Sequence, residues 1–173
     1  MITVQPNLFR TDARTASFDR RRVYRYTLWR RWSDGHRYVN FIMLNPSTAD
    51  ETVDDPTVRK CVKFARSWGY DALCITNLFA YRATDPRAMM KALDPVGFGN
   101  DRWLIKTAES ASLIVCAWSQ NGVFNGRAGS VKRLLSRFDL HYLRISPAGQ
   151  PWHPLYLPDN TRPSRWYRKD RNK

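Results

Sequence analysis

Acidic residues are scarce in this chain. Across 173 residues, 15 Asp and Glu stand against 29 Lys and Arg, a formal charge of +14. That shortage favours a polyanionic partner, most often nucleic acid, over the alternative of a merely soluble basic surface. Cysteine is sparse too, with three residues at positions 61, 74 and 116 in apolar surroundings. An odd number without close spacing excludes a disulfide framework and a zinc site and fits a reducing compartment. Long apolar runs are missing, so nothing approaches the roughly 18 residues of a membrane span. The opening MITVQPNLFR has no apolar core flanked by charge. No signal peptide is therefore expected, and the cytoplasm is the expected location.

What remains is a foldable composition, with 43% hydrophobic and 13% aromatic residues. The length fits one domain with a full core, read as residues 1–158, followed by a basic, flexible tail over 159–173. Residues 10–37 hold nine arginines against three aspartates, and residues 159–173 hold six Lys/Arg against two Asp. Aromatics are interleaved at both ends: Tyr24, Tyr26, Trp29 and Trp32 near the start, Trp166 and Tyr167 in the tail. Such interleaving suits a surface that tracks phosphates and stacks bases, with Arg21, Arg22, Arg82, Arg162, Arg165, Arg168 and Lys169 as its candidate cations. The alternation of Tyr24, Tyr26 and Leu28 equally fits a strand with inward-facing rings.

Residues 22–32 alternate as a strand, SDG at 33–35 reads as a turn, and 37–44 form a second strand, which predicts a hairpin. Asp55 stands where a helix cap belongs and Pro56 at the first helical position. Val58, Cys61, Val62, Ala65 and Trp68 follow at helical spacing, and Gly69 ends the helix. Apolar strands are expected at 72–77, 113–118 and 140–145, and helices over 86–92, from Asn100 to about 110, and around Val131–Phe138. Alternating strands and helices predict a mostly parallel sheet covered on both sides. In such sheets ligands bind beyond the carboxyl ends of the strands, which places NPSTAD, NLFAYR and SQNG on one rim.

The run MLNPSTADETVDDPTVRKC, followed in order by WGY, TNLFAYRATDP, PVGFGND, AW and HPLYL, resembles the bacterial and phage family called domain of unknown function 1643 over about residues 23–157. Ser119 stands where that family usually carries Gly. A more distant resemblance joins strand-Asn-Pro, strand-Thr-Asn, an apolar strand and a late His-Pro to the uracil-DNA glycosylase superfamily. It implies a three-layer α/β/α fold with a base pocket at the strand ends. It further implies that Asn45-Pro46-Ser47 holds a hydrolytic water, that Asn77 reads a base edge and that His153-Pro154 supports the leaving base. His153-Pro154 continues as Leu-Tyr where the superfamily usually has a small residue. Three scattered cysteines do not support the iron–sulfur cluster of some branches, and no cofactor or metal is expected.

Breaking an N-glycosidic bond leaves an anionic base and a cationic sugar, so it needs donors near the base and a held water. Asn45 suits the water, with Asp50, Asp54 or Asp55 assisting. Asn77 offers a donor and an acceptor to a pyrimidine edge, His153 a donor to the base, and Phe79 or Tyr81 a stacking face. Each also has a structural explanation. Asn45 suits a turn with Pro46, the aspartates suit caps, and Asn77 and His153 suit loop hydrogen bonds. Arg82 fits a phosphate or an ion pair with Asp85. The expected function is nucleobase recognition with N-glycosidic hydrolysis in DNA. The alternatives are a non-catalytic DNA- or RNA-binding module and an enzyme acting on RNA or a free nucleotide.

Overall fold

A computed structural model describes residues 13–166 and folds them around one seven-stranded sheet. Its strands are β1 (Arg14–Phe18), β2 (Arg25–Arg31), β3 (Tyr38–Met43), β4 (Ala72–Asn77), β5 (Leu113–Cys116), β6 (Leu140–Tyr142) and β7 (Ser164–Arg165). Four helices accompany them: α1 (Pro56–Ser67), α2 (Pro86–Met90), α3 (Asn100–Ser110) and α4 (Arg127–Leu134). Short 3-10 segments span Gln120–Gly126 and Pro154–Tyr156.

Every residue of β3, β4 and β5 is buried, as continuous apolar strands require when both faces are covered. Alternate residues divide between two cores. Val39, Phe41 and Met43 meet Val58, Cys61, Phe64 and Ala65 of α1. Ile42, Ile114 and Cys116 meet Leu104 and Ala108 of α3 and Val131 of α4 on the opposite face. α1 begins as its sequence requires, with Asp55 Oδ1 accepting from Val58 N at 2.8 Å and Pro56 in the first turn. Gly69, at φ +82°, lets the chain leave it in a conformation that most side chains resist.

The spatial order is β1-β2-β4-β3-β5-β6-β7. The sheet is mixed, not mostly parallel: β3–β4, β3–β5 and β5–β6 are parallel, while β1–β2, β2–β4 and β6–β7 are antiparallel. The hairpin expected between residues 22–32 and 37–44 does not form, because β4 lies between β2 and β3. Asp71, at the entry to β4, explains the insertion. Its carboxylate accepts from Ser33 Oγ and Arg37 N, and its carbonyl from Trp32 N, so the SDG turn closes around β4. The hairpin that does form joins β1 to β2, and the Asp19 carboxylate accepts Arg21 N and Tyr24 N inside its turn. α3 is capped by Gly99 rather than Asn100, whose side chain points back to β4.

The segment expected to be a tail from residue 159 is seated on the fold up to residue 166. Asp159 bridges Lys60 and Lys63 of α1, and Trp68 Nε1 donates to Thr161 O at 3.1 Å. β7 pairs with β6, and Trp166 packs on Trp118 with ring centroids 5.9 Å apart. Among the described residues, no helix is long and apolar enough to cross a membrane.

Candidate functional site

Because β3, β4 and β5 run parallel, their carboxyl ends share one edge, and Asn45, Asn77 and Ser119 lie on it. The loop after β3 runs beside the loop after β4. Leu78 N donates to Met43 O, Phe79 N to Leu44 O and Ala83 N to Pro46 O, at 2.9 to 3.0 Å. Asn45 stitches these loops together, its Nδ2 donating to Pro46 O at 3.0 Å and Ala83 O at 2.8 Å. Its Oδ1 has no partner among the described residues. The segment carrying His153 crosses the end of β5, where Ser119 N donates to Pro151 O at 2.8 Å.

Asn77 closes β4 and is only 1% exposed, yet neither its Nδ2 nor its Oδ1 has a partner. Its register opposite Met43 turns the amide to the α1 face. The backbone beside it is saturated: Asn100 Nδ2 donates to Asn77 O at 3.0 Å and Leu78 O at 3.1 Å, and Arg127 Nε donates to Leu78 O at 2.8 Å. The main chain is thus fixed while the side chain keeps one donor and one acceptor unused, at a cost of about 1–3 kcal/mol per group.

Arg25, which the sequence pattern does not single out, is 3% exposed. Its Nη1 donates to Ala49 O at 2.7 Å, its Nε has no partner, and no carboxylate among the described residues lies within ion-pair distance. Burial pushes its pKa down to about 10; the charge of Asp55 opposes this, and Arg82 and Arg30 add to it. The one available signal was an arginine inside a strand whose neighbours alternate as a buried element.

Asp55 also acts on His153. Burial lowers the pKa of that imidazole, and the Asp55 charge pulls it back up. His153 Nδ1 accepts from Leu155 N at 3.3 Å, which leaves the proton of the neutral ring on Nε2 as a donor. Asp50 is spent elsewhere: its Oδ1 accepts from Thr52 N, Thr52 Oγ1 and Val53 N, each at 2.8 Å, and these bonds hold its pKa at about 2. Pro46 is buried and Ser47 half-buried in the same loop. Phe79 is fully buried against Phe124 in the core shared with α3 and α4, and Tyr81 sits edge-on to Tyr24 in contact with that core. Neither ring is brought to the face that carries the Asn77 amide.

Of the N-terminal arginines, Arg25, Arg30 and Arg31 are turned inward, while Arg14, Arg20, Arg21, Arg22 and Arg37 are exposed. Arg30 and Arg14 both pair with Asp54 at 2.7 Å, and Arg31 donates to Gly35 O. Arg22 pairs with Glu51 at 2.8 Å and lies 3.7 Å over the Phe18 ring. Arg82 covers the same ring and donates from Nη1 to Arg22 O at 3.1 Å, while its Nε is buried without a partner. Asp85 is taken by Arg87 and by the cap of α2. Arg21 and Arg162 are exposed, Arg165 pairs with Asp139, and Arg168 and Lys169 lie outside the described residues. The three cysteines are buried, and burial raises all three thiol pKa values. No cluster suited to a metal ion is found among the described residues.

Residues 25–155 match the family described as Protein of unknown function (DUF1643). The chain belongs to that family. The DUF1643 match opens at Arg25 and contains Asn45, Asp55, Asn77, Ser119 and His153. Neither the curated proteins nor the solved structures hold a significant match to the chain. Ser119 adopts φ 64° and ψ −170°, a region that glycine alone occupies without strain.

Proposed function

We propose that the chain reads a nucleobase through Asn77, as a nucleic-acid-binding protein of uracil-DNA glycosylase-like type with α/β/α layering. The observation that carries this reading is the buried Asn77 amide, whose unused donor and acceptor are held on a fixed backbone. An adjacent donor and acceptor match the edge of a base extruded from its strand. The charge of +14 supports a polyanionic ligand, DNA in the first instance and RNA or a nucleotide in the second.

The chemistry that fits is hydrolysis of the N-glycosidic bond. Water adds to the sugar carbon, the bonding pair leaves with the base, and the water proton passes to a carboxylate. Asp55 is the carboxylate for that proton, because three hydrogen bonds to its Oδ1 commit Asp50 to its own turn and hold its pKa at about 2. Asn45 Oδ1 orients the water, and the His153 Nε2 proton meets the charge growing on the base. A second reading, a binding module without the chemistry, is favoured by the tie between Asn45 and the neighbouring loop, which gives that side chain a structural task.

The test is incubation with DNA and RNA oligomers bearing varied modified bases, with mass detection of released base. The wild type is expected to release one class of base and Asn77→Ala none. Undiminished release by Asn77→Ala refutes the assignment. Base-dependent binding that needs Asn77 but yields no free base selects the module.

A further inference from the structure

We propose that Arg25 and Arg82 form a receptor for a phosphate oxyanion, so that the ligand read by Asn77 carries a phosphate beside its base. This rests on the base-reading assignment for the identity of the rest of the ligand. The geometry comes from a short antiparallel ribbon ahead of β2. Arg25 N donates to Ala80 O at 2.9 Å, Arg82 N donates to Val23 O at 3.0 Å, and Tyr24 bridges Tyr81 between them. The Tyr24 and Tyr81 rings meet on one face, 5.9 Å apart. Residues flanking such a facing pair point the opposite way, so Arg25 and Arg82 leave together from the other face as diagonal neighbours.

That other face is where the ligand elements lie. Arg25 reaches Ala49 O in the loop that follows Asn45-Pro46, and Ala49 packs in the α1 core toward which Asn77 is turned. Neither guanidinium has a carboxylate within ion-pair distance among the described residues, and each keeps a buried Nε with no partner. Two cations set side by side without a counter-ion are costly away from water. The effect of Arg82 is visible in Arg25, where it adds to the lowering that burial begins. Asp55 is the carboxylate acting on Arg25, and its Oδ1 is committed to Val58 N.

A tetrahedral oxyanion suits this arrangement better than a planar carboxylate. A terminal phosphate presents three free oxygens and a diester two non-bridging ones, in either case out of one plane with the ester oxygens, so that two guanidinium groups can be engaged at once. The shared chemistry is a phosphate, whether the terminal group of a nucleotide or a diester within a strand.

The experiment is calorimetric titration and thermal melting of the full chain with inorganic phosphate, a 5′-mononucleotide series and an oligonucleotide, against chloride at equal ionic strength. Phosphate is expected to bind the wild type saturably and raise its Tm. Arg25→Met and Arg82→Met are each expected to weaken phosphate binding about tenfold or more, with Arg25→Lys intermediate. Ligand-free Arg25→Met is expected to melt no lower than the wild type, because an uncompensated charge is removed. Tighter binding of mononucleotide than of oligonucleotide assigns the terminal phosphate, and the reverse assigns the diester. Equal phosphate affinity in wild type and Arg25→Met, no phosphate binding at all, or a lower Tm in ligand-free Arg25→Met overturns the proposal. Base recognition that needs Asn77 but is indifferent to phosphate overturns this inference alone. Phosphate binding that needs Arg25, with no base preference, overturns the base-reading assignment alone.

Discussion

Replacing Asn77 with leucine should make the ligand-free protein more stable, a rare sign for a polar substitution at a strand end. Leucine shares the branched skeleton of asparagine, with bulkier methyl groups in place of the amide O and NH2, so at a site that is 1% exposed it adds apolar burial that the neighbours must accommodate. The amide it removes leaves two buried polar atoms unpaired. Each such group costs about 1–3 kcal/mol, and partial relaxation of the neighbours recovers some of that in the native protein. A net gain of about 1–3 kcal/mol is expected, equal to roughly 2–4 °C of Tm per kcal/mol for a domain of this size. Urea titration is the direct assay. The midpoint should rise with the slope unchanged, so that the gain belongs to the native state and not to a more compact denatured one. Base-dependent binding should vanish in the same variant. A midpoint lower than wild type in Asn77→Leu and in the smaller Asn77→Val alike would refute the reasoning, because it would mean that the amide is satisfied in the free protein and waits for nothing.

Ser119→Gly should stabilise the chain by about 1–3 kcal/mol, since φ 64° with ψ −170° is strained for serine and open to glycine; chemical denaturation measures it. His153 gives a pH dependence of known sign. Its folded pKa is depressed below 6.5 by burial, so the unfolded chain takes up the proton first. Its stability contribution is therefore complete above that value and is lost as the pH falls through the folded pKa. His153→Gln should flatten the midpoint-against-pH curve as the pH falls below 6.5, and a parallel curve would refute it. Ending the chain after Trp166 should spare the fold and reduce the salt slope of nucleic-acid binding, whereas ending it at Pro158 should also unfold part of the sheet edge; circular dichroism and salt titration separate the two.

Local signals in the chain were legible where the physics is local. Asp55-Pro56, the apolar spacing from Val58 to Trp68 and Gly69 specify α1 from its own residues, and the apolar runs ending at Met43, Asn77 and Cys116 specify the three central strands. The partner of β2 was not legible. Its pairing with β4 rather than β3 depends on Asp71 meeting Ser33 and Arg37 across more than thirty residues of chain. β1, RTASF, carries too weak an alternation to announce itself. In the basic N-terminal stretch, composition does not separate exposed from buried charge: Arg21 and Arg22 are exposed, while Arg25, Arg30 and Arg31 are buried and hold backbone carbonyls. Of the candidate site, the rim positions of Asn45 and Asn77 follow from strand order. That Asn77 lacks partners, that Phe79 faces the other core and that Arg25 is buried without a counter-ion are properties of packing, which no stretch of sequence displays by itself.

The interposed position of β4 has a bearing on how the chain comes into being. As the polypeptide is made from its N-terminus, the β1–β2 hairpin and β3 emerge before β4, and the edges of β2 and β3 that face one another across the seam have no neighbour able to saturate them. Only when residues 72–77 arrive is the seam between them filled. Until then the nascent protein exposes one hydrogen-bonding edge of β2 and both edges of β3 to other chains, and a fragment stopping before Ala72 would be an aggregation hazard rather than a half-built domain.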